Sequence, residues 1–304
     1  MPSKSDSAGK LHQFYTCKSL SNKYQKAKFK SPLLQNELRT LHLSQFNTDE
    51  ISSLKIIGRL TAFEIDKQIN EEIISINDIG VSSGTSSIDI TDDLEIISVQ
   101  RTNYNYSLKC AKNLDTILSK NMGAKSLISE YFKDPKKQEY FDERFEQLHK
   151  EFFERILGKD IVDIRTAKAE LRKIAKDNGR NKPRFKDPIF INSDKSRKIF
   201  LSEISSLLTK TLLQIDKSNL ANACNLILDT RKHHILACYK KDNEFVDYFF
   251  HDIIQESDIE EIRERGNNSA IIKTKNYIIG FRYKFESDIA SSVKLVGDYK
   301  EIKD

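Results

Sequence analysis

Cysteine is scarce in this 304-residue chain and is never paired. Cys17, Cys110, Cys224 and Cys238 are widely scattered, with no CxxC and no histidines at zinc-ligand spacing. That argues against a structural zinc site and a disulfide-stapled miniprotein, and the four read as reduced thiols of a cytoplasmic protein. Long apolar runs are missing too, so no segment is predicted to span a bilayer, and the opening Met-Pro-Ser-Lys-Ser-Asp-Ser-Ala-Gly-Lys has no apolar signal core. A soluble, intracellular protein is expected. The chain also lacks an internal repeat, a GxxxxGK[ST] phosphate loop, an HExxH pair and a Gly-rich dinucleotide fingerprint, which leaves nucleotide hydrolysis, zinc proteolysis and redox chemistry without support.

What is present is charge, and its distribution says more than its total. The net charge is only +5 with 31% charged residues, compatible with any soluble protein. Between Arg165 and Lys198, however, lie twelve basic residues against four acidic ones. The first half, Thr166 to Lys176, is predicted helical, and Asp177 to Pro188 is a loop dictated by its glycine and prolines. Such a loop suits a phosphate backbone, with Arg180, Lys182 and Arg184 as the candidate contacts; the competing reading is a solvated helix face followed by a lysine-rich loop. The first 50 residues carry seven lysines up to Lys30 against the single acid Asp6, a basic arm that either touches DNA or stays disordered.

Apolar spacing predicts helices over Gln138 to Leu157 and over Lys198 to Leu228, the latter broken near Asp216 to Asn219. Their aromatic and aliphatic stripes belong to a core. Asp258 to Gly266 reads as a short amphipathic helix stopped by glycine. Strands are predicted at His234 to Tyr239, Ala270 to Thr274, Tyr277 to Phe285 and Ser292 to Val296, so that the last third forms an antiparallel sheet. Within Tyr277 to Phe285, alternation puts Phe281, Tyr283 and Phe285 on one face and Arg282 and Lys284 on the other, free for phosphates or bases. His233 and His234 point to opposite faces and are read as structural. Lys120 and Lys125, flanking Gly123, either grip a phosphate or are exposed lysines around a helix cap.

The densest pattern runs from residue 87 to 109. Ser-Ile-Asp-Ile ends at Ile90, a polar interval follows, and Tyr104-Asn-Tyr-Ser-Leu-Lys109 alternates after it. As neighbouring strands the two would bring Asp89 to Lys109, the pairing of acid and cation that metal-dependent phosphodiester cleavage requires. An ordinary surface hairpin is the bland alternative. Upstream, Leu54 to Ile69 has helical spacing, with Leu60, Phe63 and Ile69 near one face and Glu64 following Phe63.

A helix, a strand bearing Asp and a strand ending in Leu-Lys resemble the core of the PD-(D/E)XK nuclease superfamily, and most closely its type II restriction endonucleases. The resemblance covers residues 54 to 132; Leu118 to Phe132 also looks like endonucleases whose third motif reads Ser-Leu-Lys. It implies an α/β fold with a restriction-endonuclease-like mixed central sheet flanked by helices, with helical and antiparallel additions. Asp89 would be the metal-binding aspartate, Lys109 the catalytic lysine, and Glu64 the helical glutamate some members add. A Mg2+ ion would be held by Asp89, the backbone carbonyl near Leu108 and a further carboxylate. Ser107 is the departure, standing where most members place Glu, Asp or Gln. Either Glu64 or an acid of Asp92-Asp93-Leu94-Glu95 then supplies the missing charge, or catalysis is lost and a catalytically inactive DNA-binding protein remains. A structural interaction protein is a third class. The expected domains are an arm and helical region over 1–50, a catalytic core over 51–135 and a DNA-recognition region over 136–304. The expected activity is that of a type II site-specific deoxyribonuclease cutting double-stranded DNA at a short sequence. A palindromic site would call for a homodimer, and restriction for a cognate DNA methyltransferase.

Overall fold

The computed structural model describes residues 2–79, 93–112, 118–123, 126–230 and 232–302. In chain order the elements are α1 (Lys4–Lys23), β1 (Lys28–Lys30), α2 (Asn36–Leu43), α3 (Thr48–Ile69), β2 (Ile73–Asp78), β3 (Leu94–Ser98), β4 (Asn103–Ala111) and β5 (Leu118–Met122). They continue with α4 (Leu127–Glu130), α5 (Pro135–Leu157), α6 (Ile164–Asp177), α7 (Ser193–Leu212) and α8 (Lys217–Leu228). The remainder are strands: β6 (His233–Cys238), β7 (Phe245–Phe250), β8 (Ile259–Arg265), β9 (Ser269–Thr274), β10 (Tyr277–Phe285) and β11 (Val293–Glu301). The chain divides into two units, Met1–Thr116 with Asp229–Asp252, and Ile117–Leu228 with Ile253–Asp304.

The first unit is built on a six-stranded sheet in the order β1-β2-β3-β4-β6-β7. β2, β3 and β4 form an antiparallel meander, and β6 lies parallel to β4, so the sheet is mixed as expected. One face is covered by α1 and α3, whose Leu20, Ala62, Ile65 and Ile69 pack against Ile76, Leu94, Ile96, Tyr106 and Leu108. The two helices approach closely at Gly58, where a Cβ would fall 2.6 Å from that of Tyr15. A capping box opens α3: the Asn47 side chain accepts from the Glu50 amide, and Glu50 accepts in return from the Asn47 amide. Polar pairs are buried among the apolar contacts, including His12 with Thr61 at 2.8 Å and Ser7 with His42 at 3.0 Å.

The second unit carries a five-stranded antiparallel sheet in the order β5-β11-β10-β9-β8. Its core is a run of rings: Phe152 and Phe200 stack at 5.0 Å, and Phe285 lies 5.1 Å from Phe152 and 5.7 Å from Phe200. His149 stacks on Phe153 and Phe200. The stripe predicted for residues 138–157 thus lines this core.

Three expectations are corrected. Residues 259–265 are a strand, not a helix: they pair antiparallel with β9 at the sheet edge, and Gly266, at φ 62°, makes the turn that a helix stop had been taken for. The strand at residues 233–238 leaves the antiparallel sheet and joins the mixed one, beside β4. The N-terminal lysine-rich segment is no loose arm: α1 buries Ala8, Leu11, Phe14, Cys17 and Leu20, while its lysines lie at the periphery of the helix. The domain limits at 50 and 135 do not coincide with the two units, because α1 packs on α3 and because β6 and β7 return to the first sheet. Among the described residues, no helix is long and apolar enough to cross a membrane.

Candidate active site

β4 presents two chemically different faces because side chains alternate along a strand. Tyr104, Tyr106, Leu108 and Cys110 turn toward α1 and α3, where they meet the two cores of the first unit. Asn105, Ser107 and Lys109 therefore leave the strand on the other side. Ser107 is only 1% exposed and its hydroxyl has no partner among the described residues. Next to it in the sheet stands His234, which stacks on Phe249 with an interplanar angle of 6° and lies 4.8 Å from His251. His233 turns the other way and bonds Tyr248, so the histidine pair does diverge as predicted.

Among the described residues, the acid that reaches the Ser-Leu-Lys stretch is Asp93. The β3–β4 ladder ends at Leu94 and Tyr106, and one step beyond, Asp93 replaces a backbone acceptor with its own carboxylate. Its Oδ2 accepts from the Leu108 amide at 2.7 Å and its Oδ1 from Gln13 Nε2 of α1 at 2.9 Å. Leu108, expected to offer its carbonyl to a metal, meets the carboxylate through its N–H. A carboxylate has about four lone-pair sites, and these two neutral donors orient the group.

Asp78, at the end of β2, is a second carboxylate beside Asp93. It is 8% exposed; its Oδ2 accepts from the Ser31 hydroxyl, while Oδ1 has no partner among the described residues. Burial raises its pKa to about 6, and the Asp93 charge adds to the rise, against the Ser31 hydrogen bond and the Lys10 ammonium. The Ile79 amide, donating to the Asp93 carbonyl at 3.2 Å, holds the two residues side by side. Sequence reasoning missed Asp78; an acid closing the apolar strand Ile73-Ile-Ser-Ile76 was the available signal, since a carboxylate is seldom left at such a position without a partner.

The remaining candidates are distributed as follows. Asp89 and Lys125 lie outside the described residues, as does the Lys120 side chain. Glu64 pairs with Lys67 at 3.9 Å on its own helix, and no contact among the described residues joins it to β4. Glu95 lies on the Asn105 side of the sheet and accepts from Asn77 and Asn103. Among the described residues no three His, Cys, Asp or Glu side chains converge in the manner of a metal site.

In the second unit, Arg180, Lys182 and Arg184 sit on the exposed loop between α6 and α7, which is irregular as predicted. Arg180 pairs with Asp187 at 3.1 Å. Lys284 is exposed on β10, while Arg282 is half-buried, with its Nε lacking a hydrogen-bond partner among the described residues.

The chain is 25% identical over 290 residues to the type II restriction enzyme BsuRI of Bacillus subtilis, a match covering 93% of this chain and 46% of that enzyme. It therefore spans about half the length of the curated relative it matches. No protein-family profile matches the chain. No solved structure matches it.

Proposed function

We propose that the chain is a type II restriction endonuclease, hydrolysing phosphodiester bonds of double-stranded DNA at a short sequence with Mg2+ as cofactor. The observation that carries this reading is the Asp93 carboxylate seated on the Leu108 amide, inside Ser107-Leu108-Lys109. The similarity to BsuRI along 93% of the chain supports the same reading independently.

The donor chemistry suits Mg2+, which takes oxygen ligands. Asp93 would hold the ion, with Asp78 contributing its orphaned Oδ1 and Asp89 supplying the ligand expected from the sequence. When bound, the ion polarises the scissile phosphate and acidifies water. The Leu108 amide and Gln13 fix the Asp93 carboxylate so that no reorientation is needed as charge develops. Lys109 leaves β4 on the face away from α1, so its expected role, orienting the attacking water and stabilising negative charge on the phosphate, requires the substrate to pass the strand end between the two faces. Asp93 and Asp78 take over the role assigned to Glu64, and Ser107 is left as a neutral neighbour. Arg180, Lys182, Arg184 and Lys284 would follow the DNA backbone, and Arg282 would read a base edge. A palindromic target would be matched by a homodimer, and a methyltransferase of the same specificity would protect the host DNA.

The test is incubation of the protein with long unmethylated DNA, with Mg2+ or with EDTA, read on a gel. Discrete fragments that appear only with Mg2+ are expected. Intact DNA retarded in both lanes would favour the inactive DNA-binding reading, for which the neutral Ser107 is the specific observation.

A further inference from the structure

The loop from Asn178 to Asn192 and the turn between β10 and β11 border two open cavities of different chemistry. The first, about 410 Å³, is lined by Arg172, Lys176, Arg180 and Lys182, with Asp288 the one acid. Asp288 is engaged within its own turn by the Ala290 amide and the Ser287 hydroxyl. Lys176 and Lys182 are exposed and have no carboxylate partner among the described residues. Arg172 is steadied by donating to the Ala290 carbonyl at 3.2 Å. Arg180 is paired with Asp187, and the other three cations around a space of this size suit a phosphate group.

The second cavity, about 360 Å³, is lined by Phe185, Phe285, Arg197, Lys198, Asn268 and Lys284, among others. Phe185 and Phe285 meet edge to face at 5.1 Å. The Arg197 guanidinium lies 4.8 Å from the Phe185 ring centroid and is anchored by Asp194. Asn268 Nδ2 donates to the Tyr283 carbonyl at 3.2 Å, which fixes the orientation of its amide. Aromatic rings, a pinned guanidinium and an amide form the set that takes up an unstacked nucleobase. Both volumes fall at the low end of the roughly 300–1,000 Å³ typical of small-ligand pockets, the scale of a nucleotide.

The two spaces are lined by neighbouring residues of the same two segments. Lys182 and Pro183 line the first and Phe185 the second; Asp288 lines the first and Ser287 the second. Pro183 is tied to the turn by accepting from the Ile289 amide at 3.0 Å, so the dividing wall is hydrogen-bonded across. Three residues of chain span at most about 10 Å, so Lys182 and Phe185 lie within the reach of the phosphate and base of one nucleotide.

We propose that these cavities are adjoining subsites for a single nucleotide displaced from the DNA stack, its phosphate held by Arg172, Lys176 and Lys182 and its base against Phe185 and Arg197. The inference rests on the DNA-binding reading above. Its energetic logic is that extruding a base is cheapest where pairing is already broken.

The test compares binding, in EDTA, of three fluorescein-labelled probes: a fully paired duplex, the same duplex with one unpaired nucleotide, and a free deoxynucleoside monophosphate. The bulged duplex is expected to bind about tenfold more tightly than the paired one, the scale of one stacking contact. Phe185→Ala and Phe185→Leu should both abolish that preference while leaving affinity for paired DNA within about twofold, with unchanged thermal melting showing that the variants fold. Lys176→Glu with Lys182→Glu should weaken both duplexes. Equal affinity for paired and bulged DNA, insensitive to Phe185→Ala, would overturn the base subsite and leave the nuclease reading standing. No affinity for any DNA would sink both. Tight binding of the free mononucleotide without a bulge preference would overturn the displaced-base form, because it points to a soluble ligand.

Discussion

The two units of this protein solve the problem of burying a polar chain differently. The first unit covers its mixed sheet with two helices that touch at Gly58 and admit hydrogen-bonded polar pairs such as His12–Thr61. The second is filled by rings, with Phe152, Phe200 and Phe285 in mutual contact. Polar burial is costly unless every group finds a partner, but it fixes orientation. Aromatic burial contributes large areas with little directional demand. The proposed chemistry lies in the unit with oriented polar groups, and the proposed DNA contacts lie on the unit whose rings leave its charges to solvent.

The sharpest way to break this division of labour is at Asp93. Asp93→Asn and Lys109→Ala should each lower the cleavage rate by about 10³-fold or more while DNA affinity in EDTA changes less than threefold. Full activity in either variant would remove the proposed site. The next largest effect is on stability. Phe152→Ala should cost about 3–5 kcal/mol in the second unit, against about 1–3 kcal/mol for Gly58→Ala in the first, where an added methyl meets Tyr15. Urea midpoints with an unchanged slope would measure both.

Acid should separate the units. Burial pushes the His12 pKa down to about 3, so His12 favours the folded state fully above its unfolded value of about 6.5, and this contribution fades as pH falls from about 6.5 toward 3. Glu50, lowered to about 2 chiefly by the Lys4 ammonium, with Lys112 assisting, adds a loss between about pH 4.5 and 2. In the second unit, Asp134 and Asp163 are lowered by Lys137 and by Thr166 respectively, so their contribution begins to fade only as pH falls through about 3.8. Hydrogen exchange should therefore show α1 losing protection at a higher pH than α5; the reverse order would contradict the comparison. The smallest effect expected is electrostatic. Lys182→Ala should flatten the salt dependence of DNA binding by about one unit of slope with cleavage at saturating DNA unchanged.

The elements set by strong periodicity were legible in the sequence: α3, α5, α6, the break between α7 and α8, and the strands β4, β9 and β10 all lie where apolar spacing puts them. β8 was misread because Ile259 and Ile262 are three apart, a helical spacing that the strand accommodates through the register shift between Ile259 and Glu261. α1 was hidden because His12, Gln13 and Thr16 occupy buried positions, so its pattern of buried residues is not apolar. At the site, Ser107-Leu108-Lys109 was found from alternation, and Asp93 was included among the acids able to complete it. That Asp93, and not Glu64, meets β4 depends on where the β3–β4 ladder ends. Asp78 escaped notice because its partners, Ser31 and Asp93, are brought together only by the sheet.

The order in which the chain visits its two units constrains how it is made. β4 waits for β6, its parallel neighbour, until more than a hundred further residues have been added. β5 likewise waits for β11. During synthesis the ribosome would thus carry a nascent chain with an open strand edge beside Lys109, a slow, non-local closure that invites chaperone attention. A chain released early would leave the candidate site without one wall, so incomplete copies of the protein would be poorly armed against the DNA around them.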